Sequence, residues 1–261
     1  MTFRAAVIAS CAVITAGWLA AGVIAQSAQS ASTPAAGSTP KLSGVYSGRR
    51  CVPANSDVCP EMNAMGGQRL LTARGKALAA AFDEVAAPKY DCSPATLPII
   101  FGDPYQVRIE QLPDRVNFSY EKDDVRRTIW LDGHGHARPR FGQLFTHGYS
   151  TGRYEGNALV VETARFTYDP EGFAGDALNA PSSTQKRLTE RYTLDGDVLR
   201  MELTAEDPVF LLQPFTYTME WRRTDEPFST GWDCDPEAAQ RNLHVVKSKY
   251  PQDPPVKRRN Q

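Results

Sequence analysis

No pair of cysteines in this chain has the Cys-x-x-Cys spacing, although five cysteines are present, so a short-spaced thiolate zinc site is excluded. No glycine-rich phosphate loop and no dinucleotide fingerprint occurs, which removes the common nucleotide-cofactor folds. The charge is almost balanced, with 29 Lys+Arg against 30 Asp+Glu and a formal net charge of −1. No broad basic field therefore exists to hold a nucleic-acid backbone. There is no internal repeat beyond a hairpin rhythm. What is present is a chain with 41% hydrophobic residues and 10% aromatics, patterned mostly with period two.

The start stands apart from the rest. Arg4 gives a short positive opening, residues 5–25 carry no charge and are mostly apolar, and Val23-Ile24-Ala25 is an acceptable cleavage site. This predicts an export signal over 1–25 and a periplasmic or secreted location. Two alternatives stay open: an uncleaved membrane anchor made by the same apolar run, and a lipoprotein box at Ile8-Ala9-Ser10-Cys11. Residues 26–41 are Ser, Ala, Thr, Pro, Gly and Gln almost throughout, which predicts a flexible linker. Residues 42–246 are read as a single β-barrel domain and 247–261 as a basic flexible tail ending in Lys257-Arg258-Arg259. Removal of Arg4 leaves 28 basic against 30 acidic residues, a formal charge of −2. No membrane span is expected after signal cleavage, and the oligomeric state is left open.

Cys51, Cys59, Cys92 and Cys234 lie beyond the signal. An even number in an exported chain predicts disulfides. Of the three possible connectivities, Cys51–Cys59 as a local staple and Cys92–Cys234 as a long clasp are preferred.

Periodicity places the elements. Residues 42–49 read as a first strand and 52–67 as a loop. Residues 72–84 read as a helix, with Leu71, Ala77, Leu78, Ala81 and Phe82 at helical spacing and Thr72 as cap. From Pro104 onward apolar and polar residues alternate: Tyr105, Val107 and Ile109; then Val116, Phe118 and Tyr120; then Arg127, Ile129 and Leu131. Later sets are Leu188, Glu190, Tyr192 and Leu194; then Leu199, Met201, Leu203 and Ala205; then Phe215, Tyr217, Met219 and Trp221. Asp235-Pro236-Glu237 opens a short final helix. Eight or nine strands in hairpin order predict a mainly β fold, an antiparallel up-and-down meander closed into a calycin- or lipocalin-like barrel. A barrel of that strand number can hold one small molecule.

The sharpest local signal is the stretch from Gly152 to Thr163, two strands joined by Gly156-Asn157. Glu162 interrupts an apolar run in the second strand. A carboxylate on a covered face must find a partner or change its pKa. Glu162 is therefore expected inside the barrel, with Arg127 or Arg191 as partner.

Glu121, Arg127, Asp132-Gly133, then Gly148-Tyr149-Ser150-x-Gly152-Arg153-Tyr154-Glu155-Gly156-Asn157-x-Leu159-Val160-Val161-Glu162-Thr163, Glu190-Arg191-Tyr192 and Glu206-Asp207-Pro208 resemble a family of uncharacterised exported bacterial proteins. That family reads Gly-His-Ser where this chain has Gly148-Tyr149-Ser150. The resemblance brings no activity with it. His147, two residues earlier, is a candidate substitute for the missing imidazole.

The favoured functional expectation is an exported barrel binding a small, partly apolar ligand in its interior. The ligand-contacting candidates are Glu121, Arg127, Glu162, Glu190, Arg191, Tyr192 and Trp221, with Tyr105, Phe118, Tyr120, Phe215 and Tyr217 as aromatic lining. The alternative is a cofactor-independent hydrolase, lyase or isomerase with His147, Glu162 and Tyr154 as catalytic residues. A third reading is an envelope structural or assembly module. No cofactor is implied. His134, His136 and His147 lack a clear third ligand, so no metal site is expected. Ser150 imitates a hydrolase elbow, but that elbow needs a parallel α/β sheet.

Overall fold

The alternation closes on itself. The structure, a computed structural model, describes residues 39–52, 70–132, 138–174, 179–231, 234–241 and 243. The chain divides into the units Met1–Thr33 and Pro34–Gln261. The first lies outside the described residues, as do Cys59, His134, His136 and the basic tail. No helix among the described residues is long and apolar enough to cross a membrane.

The strands are β1 (Gly44–Val52), β2 (Val107–Gln111), β3 (Arg115–Tyr120), β4 (Arg126–Leu131), β5 (Tyr149–Glu155), β6 (Ala158–Ala164), β7 (Asp169–Ala174), β8 (Ala180–Ser182), β9 (Arg187–Asp195), β10 (Val198–Glu206) and β11 (Phe215–Thr224). Nine of them close a barrel in the order β1-β11-β10-β9-β6-β5-β4-β3-β2, and β7 and β8 form a separate two-stranded sheet. The mainly β, closed-barrel expectation holds. Closure leaves no edge strand in the barrel.

Two features depart from a simple meander. β4 and β5 pair in parallel, with Ile129 opposite Ser150 and Leu131 opposite Gly152. A parallel neighbour needs a crossover rather than a tight turn, and the stretch between Leu131 and Tyr149 supplies it. The connection after β6 holds β7 and β8, which pair with each other, so β6 pairs directly with β9. Between β5 and β6, Gly156 takes φ +60 as the first central residue of a two-residue turn, a position that favours glycine.

Two short helices flank the barrel. In α1 (Ala73–Ala81), the Thr72 hydroxyl accepts from the Gly75 N–H at 3.2 Å and donates to the Val209 carbonyl at 3.0 Å, capping the helix and tying it to the loop after β10. In α2 (Pro236–Arg241), Asp235 accepts from the Glu237 N–H at 2.9 Å. Cys92 and Cys234 form a disulfide with Cα atoms 5.8 Å apart, across a sequence separation of 142. Cys51 is also disulfide-bonded, and its expected partner Cys59 lies outside the described residues.

The core fills the barrel. Ile129, Leu159 and Leu203 are wholly buried, and Phe118 and Tyr192 nearly so. Segment 97–102 adds Leu97, Ile100 and Phe101 to the same core. Phe101 packs between Tyr120 of β3 and Trp221 of β11, with ring centroids 6.2 and 6.5 Å away.

Candidate functional site

Strand parity decides which charges face inward. In β9 the buried residues are Leu188, Glu190 and Tyr192, while Arg187 and Thr189 are exposed and Arg191 is half-buried. In β4, Arg127, Ile129 and Leu131 are buried. Arg127 and Glu190 thus enter the barrel from strands separated by β5 and β6. The sequence pattern placed both correctly on inward sets.

Between them runs a polar path across four neighbouring strands. Arg127 Nη1 donates to Glu190 Oε2 at 2.8 Å and Nη2 donates to Oε1 at 2.7 Å. Arg127 Nη2 also donates to Thr163 Oγ1 on β6 at 2.6 Å, and Nε donates to Ser150 Oγ on β5 at 3.0 Å. The two hydroxyls are 3.0 Å apart. The Tyr192 hydroxyl donates to Glu190 Oε2 at 2.6 Å. A two-pronged guanidinium–carboxylate pair combines charge with fixed geometry. Burial opposes the charge on Arg127, and the Glu190 carboxylate outweighs it, so the guanidinium holds its proton more firmly than usual.

This network leaves hydrogen-bonding capacity unspent. A guanidinium carries five N–H donors, and the four bonds above leave one on Nη1. The buried Tyr217 hydroxyl has no hydrogen-bond partner among the described residues, and the Tyr120 hydroxyl, which makes no well-formed bond there, lies against the Arg127 guanidinium. Burial is the main cause that raises both pKa values; Arg127 opposes it and Glu190 adds to it at Tyr120, and Glu190 adds to it at Tyr217. Buried polar groups are normally paired, so two such hydroxyls beside one ion pair are unusual.

A second buried charge lies just ahead of β9. Lys186 is almost wholly buried. Its Nζ donates to the Leu97 carbonyl at 2.7 Å and stands over the rings of Phe166 and Phe173, at 4.3 and 5.5 Å. It makes no ion pair with a carboxylate among the described residues. Burial pulls its pKa down to about 8, against the opposing fields of Asp169 and Asp207. Asp169 accepts from the Thr96 hydroxyl. Asp207 accepts from Ser183 N–H and Oγ and from the N–H groups of Val209 and Phe210. Lys186 therefore pins the segment that carries Phe101. A cavity of about 880 Å³ lies at this rim, lined in part by Arg165, Lys186, Asp207 and Leu211.

The other expected site residues scatter. Glu162 contradicts its expected place: its side chain is 60% exposed and accepts from Arg153 Nη1 at 2.9 Å on the outer wall. In register, Val161 and not Glu162 lies opposite Glu190. The run Ala158-Leu159-Val160-Val161 hides the parity, because Val160 is buried on the outer face. Its cross-strand neighbours there are Arg153 and Arg191, whose long stems can cover it. Arg191 pairs with Glu155 at 3.1 Å, also outside. Glu121 stands in the β3–β4 turn and accepts from the Gln106 N–H at 2.9 Å. Trp221 is core.

The expected catalytic trio does not assemble. His147 Nε2 lies 3.2 Å from the Ala95 carbonyl, and burial lowers its pKa. The Tyr154 hydroxyl accepts from Gln111 Nε2 at 2.8 Å. Glu162 is outside. Ser150 serves the Arg127 network. No group of three His, Cys, Asp or Glu that could hold a metal occurs among the described residues.

Because the Arg153–Glu162 pair is solvated, Glu162→Gln is expected to change the unfolding free energy by less than about 1 kcal/mol. Urea denaturation at neutral pH checks this.

Lys186 was not visible in the sequence. Within Gln185-Lys186-Arg187 it reads as one more charge ahead of a strand. Nothing local marks the aromatic rings that cover it.

No family model matches the chain, and no curated protein matches it. Among solved structures, the fluorescent protein UnaG is similar at low level. A point mutant of it aligns at 13% identity with a TM-score of 0.32, covering 71% of this chain and 98% of that one. The wild type aligns at 11% identity with a TM-score of 0.31, covering 70% and 98%. At these scores the likeness carries no argument. The barrel rests on its own strand pairing.

Proposed function

We propose that this protein is an exported binding barrel for a small, partly apolar molecule with an uncharged hydrogen-bonding head group. One observation carries the reading: a sealed ion pair, Arg127–Glu190, borders the unpartnered hydroxyl of Tyr217 and the weakly bonded hydroxyl of Tyr120. These groups can serve a carbonyl or hydroxyl. Arg127 and Glu190 neutralise each other, so the pair offers no net charge to hold a free ion, and the head group is neutral. The surrounding Phe118, Phe215 and Trp221 suit an apolar or aromatic body. Since the mid-section is filled, the ligand takes the space of Phe101 by displacing segment 97–102. Lys186, held on the Leu97 carbonyl, sets how easily that segment leaves. The apolar opening of the chain, with its cleavage site, supports export.

The test uses prodan, a neutral naphthyl ketone whose emission shifts to the blue in apolar surroundings. Saturable binding to the wild-type protein is expected. Tyr217→Phe is expected to weaken it about fivefold, for one lost hydrogen bond. The same substitution removes an unpartnered buried hydroxyl, so stability should hold or rise by about 1 kcal/mol. Weaker binding in a variant at least as stable separates a ligand anchor from a structural hydroxyl. No saturable binding, or equal binding by the variant, contradicts the reading.

A further inference from the structure

The crossover between β4 and β5 ends in a feature the interior site does not use. Residues 140–143 form a tight turn in which the Gln143 N–H donates to the Arg140 carbonyl at 3.1 Å and the Arg140 N–H donates to Gln143 Oε1 at 3.0 Å. Gly142 takes φ +74, the left-handed value a type II turn requires at its third residue. Phe141, the second residue, is fully exposed, and Leu144 is exposed as well. The turn is tied down. Arg165 Nη1 donates to the Arg140 carbonyl at 3.4 Å, and the Phe145 N–H donates to the Arg165 carbonyl at 2.8 Å. Arg165 itself sits at φ +63, a strained value for a residue with a side chain. A fully solvated phenylalanine is thus held on a fixed tip.

The charge beside it is mainly positive. Arg138, Arg140 and Arg165 form no ion pair among the described residues. The nearby carboxylates are Glu206, which lies opposite Arg187 on the neighbouring strand and shares a groove with it and Arg165, and Glu162, already paired with Arg153. This face is cationic in a chain whose net charge is only −1.

We propose that this face docks on an anionic lipid bilayer. Phe141 and Leu144 enter the boundary between head groups and acyl chains, and the three arginines meet the lipid phosphates. A stable protein partner would need an area of roughly 800 Å² on this chain, whereas two apolar side chains on a convex tip fit insertion into a fluid boundary. The proposal is independent of the interior site.

The test places an indole at the tip, Phe141→Trp, in the full chain. Vesicles of phosphatidylcholine alone are compared with vesicles containing phosphatidylglycerol, both with brominated acyl chains. The signal is the difference from the unsubstituted chain, which has four tryptophans of its own. The readout is local, so attachment through residues 5–25 does not produce it. The expected result is blue-shifted, bromine-quenched emission on the anionic vesicles only, reversed by salt. Adding Arg140→Gln should lower the apparent affinity about fivefold. An unquenched indole on both vesicles, or equal quenching on both, overturns the proposal.

Discussion

Replacing Glu190 with leucine is expected to destabilise the protein by about 3–5 kcal/mol, and Arg127→Met by a similar amount. Each change strands the other charge in the barrel, where it is almost wholly shielded from water. Glu190→Leu also removes the acceptor for the Tyr192 hydroxyl, and Arg127→Met removes the donor shared by Ser150 and Thr163. A loss of this size is a large part of a domain's total stability, typically about 5–15 kcal/mol. The double variant Arg127→Met with Glu190→Leu should recover most of it, because an apolar pair of similar volume carries no desolvation penalty. Chemical denaturation of the four proteins closes a double-mutant cycle. Strong coupling is expected. Additive losses below about 1 kcal/mol each would mean that the pair is hydrated.

The second large effect is a pH dependence set by Lys186. Its folded pKa of about 8 lies below the ordinary 10.5, mainly through burial. Between those values the unfolded chain binds the extra proton and the folded chain does not, so stability rises with pH through that window. Over the whole interval the rise amounts to about 3 kcal/mol. The buried tyrosines oppose it near its upper end. Tyr192 and Tyr217 have pKa values raised by burial, so they lose stability as their unfolded counterparts ionise near pH 10. The comparison with Lys186→Met isolates the lysine. Wild type should gain stability from pH 7.5 to 10 relative to the variant, and below pH 8 the variant no longer carries a buried ammonium. Parallel profiles would mean that Lys186 reaches water.

Both effects come from residues whose sequence signals differ. Arg127 and Glu190 each sit in a clean period-two set, and the strand faces followed from that alternation. Their pairing did not, because the contact spans 63 positions and crosses two intervening strands. Glu162 went to the wrong face for a local reason: four consecutive apolar residues before it erase the parity, and two of them, Ala158 and Val160, are buried on the outer face. The parallel β4–β5 pair was not legible either, since direction is set by the length and path of a crossover rather than by alternation. Whether the barrel is filled or hollow depends on how side chains from nine strands and segment 97–102 meet, which no single strand encodes. The Cys92–Cys234 clasp matched expectation, while the His134-Gly135-His136 loop falls outside the described residues.

The central claim is that unspent hydrogen-bonding capacity around Arg127–Glu190 anchors a ligand inside the barrel. Carbon-13 NMR of ring-labelled tyrosines tests it most directly, with signals assigned by single Tyr→Phe variants and prodan as the probe. Saturable shifts at Tyr120, Tyr192 and Tyr217, with the exposed Tyr168 unmoved, are predicted. Shifts confined to Tyr168 and other outward rings, or none at saturating probe, would contradict the account.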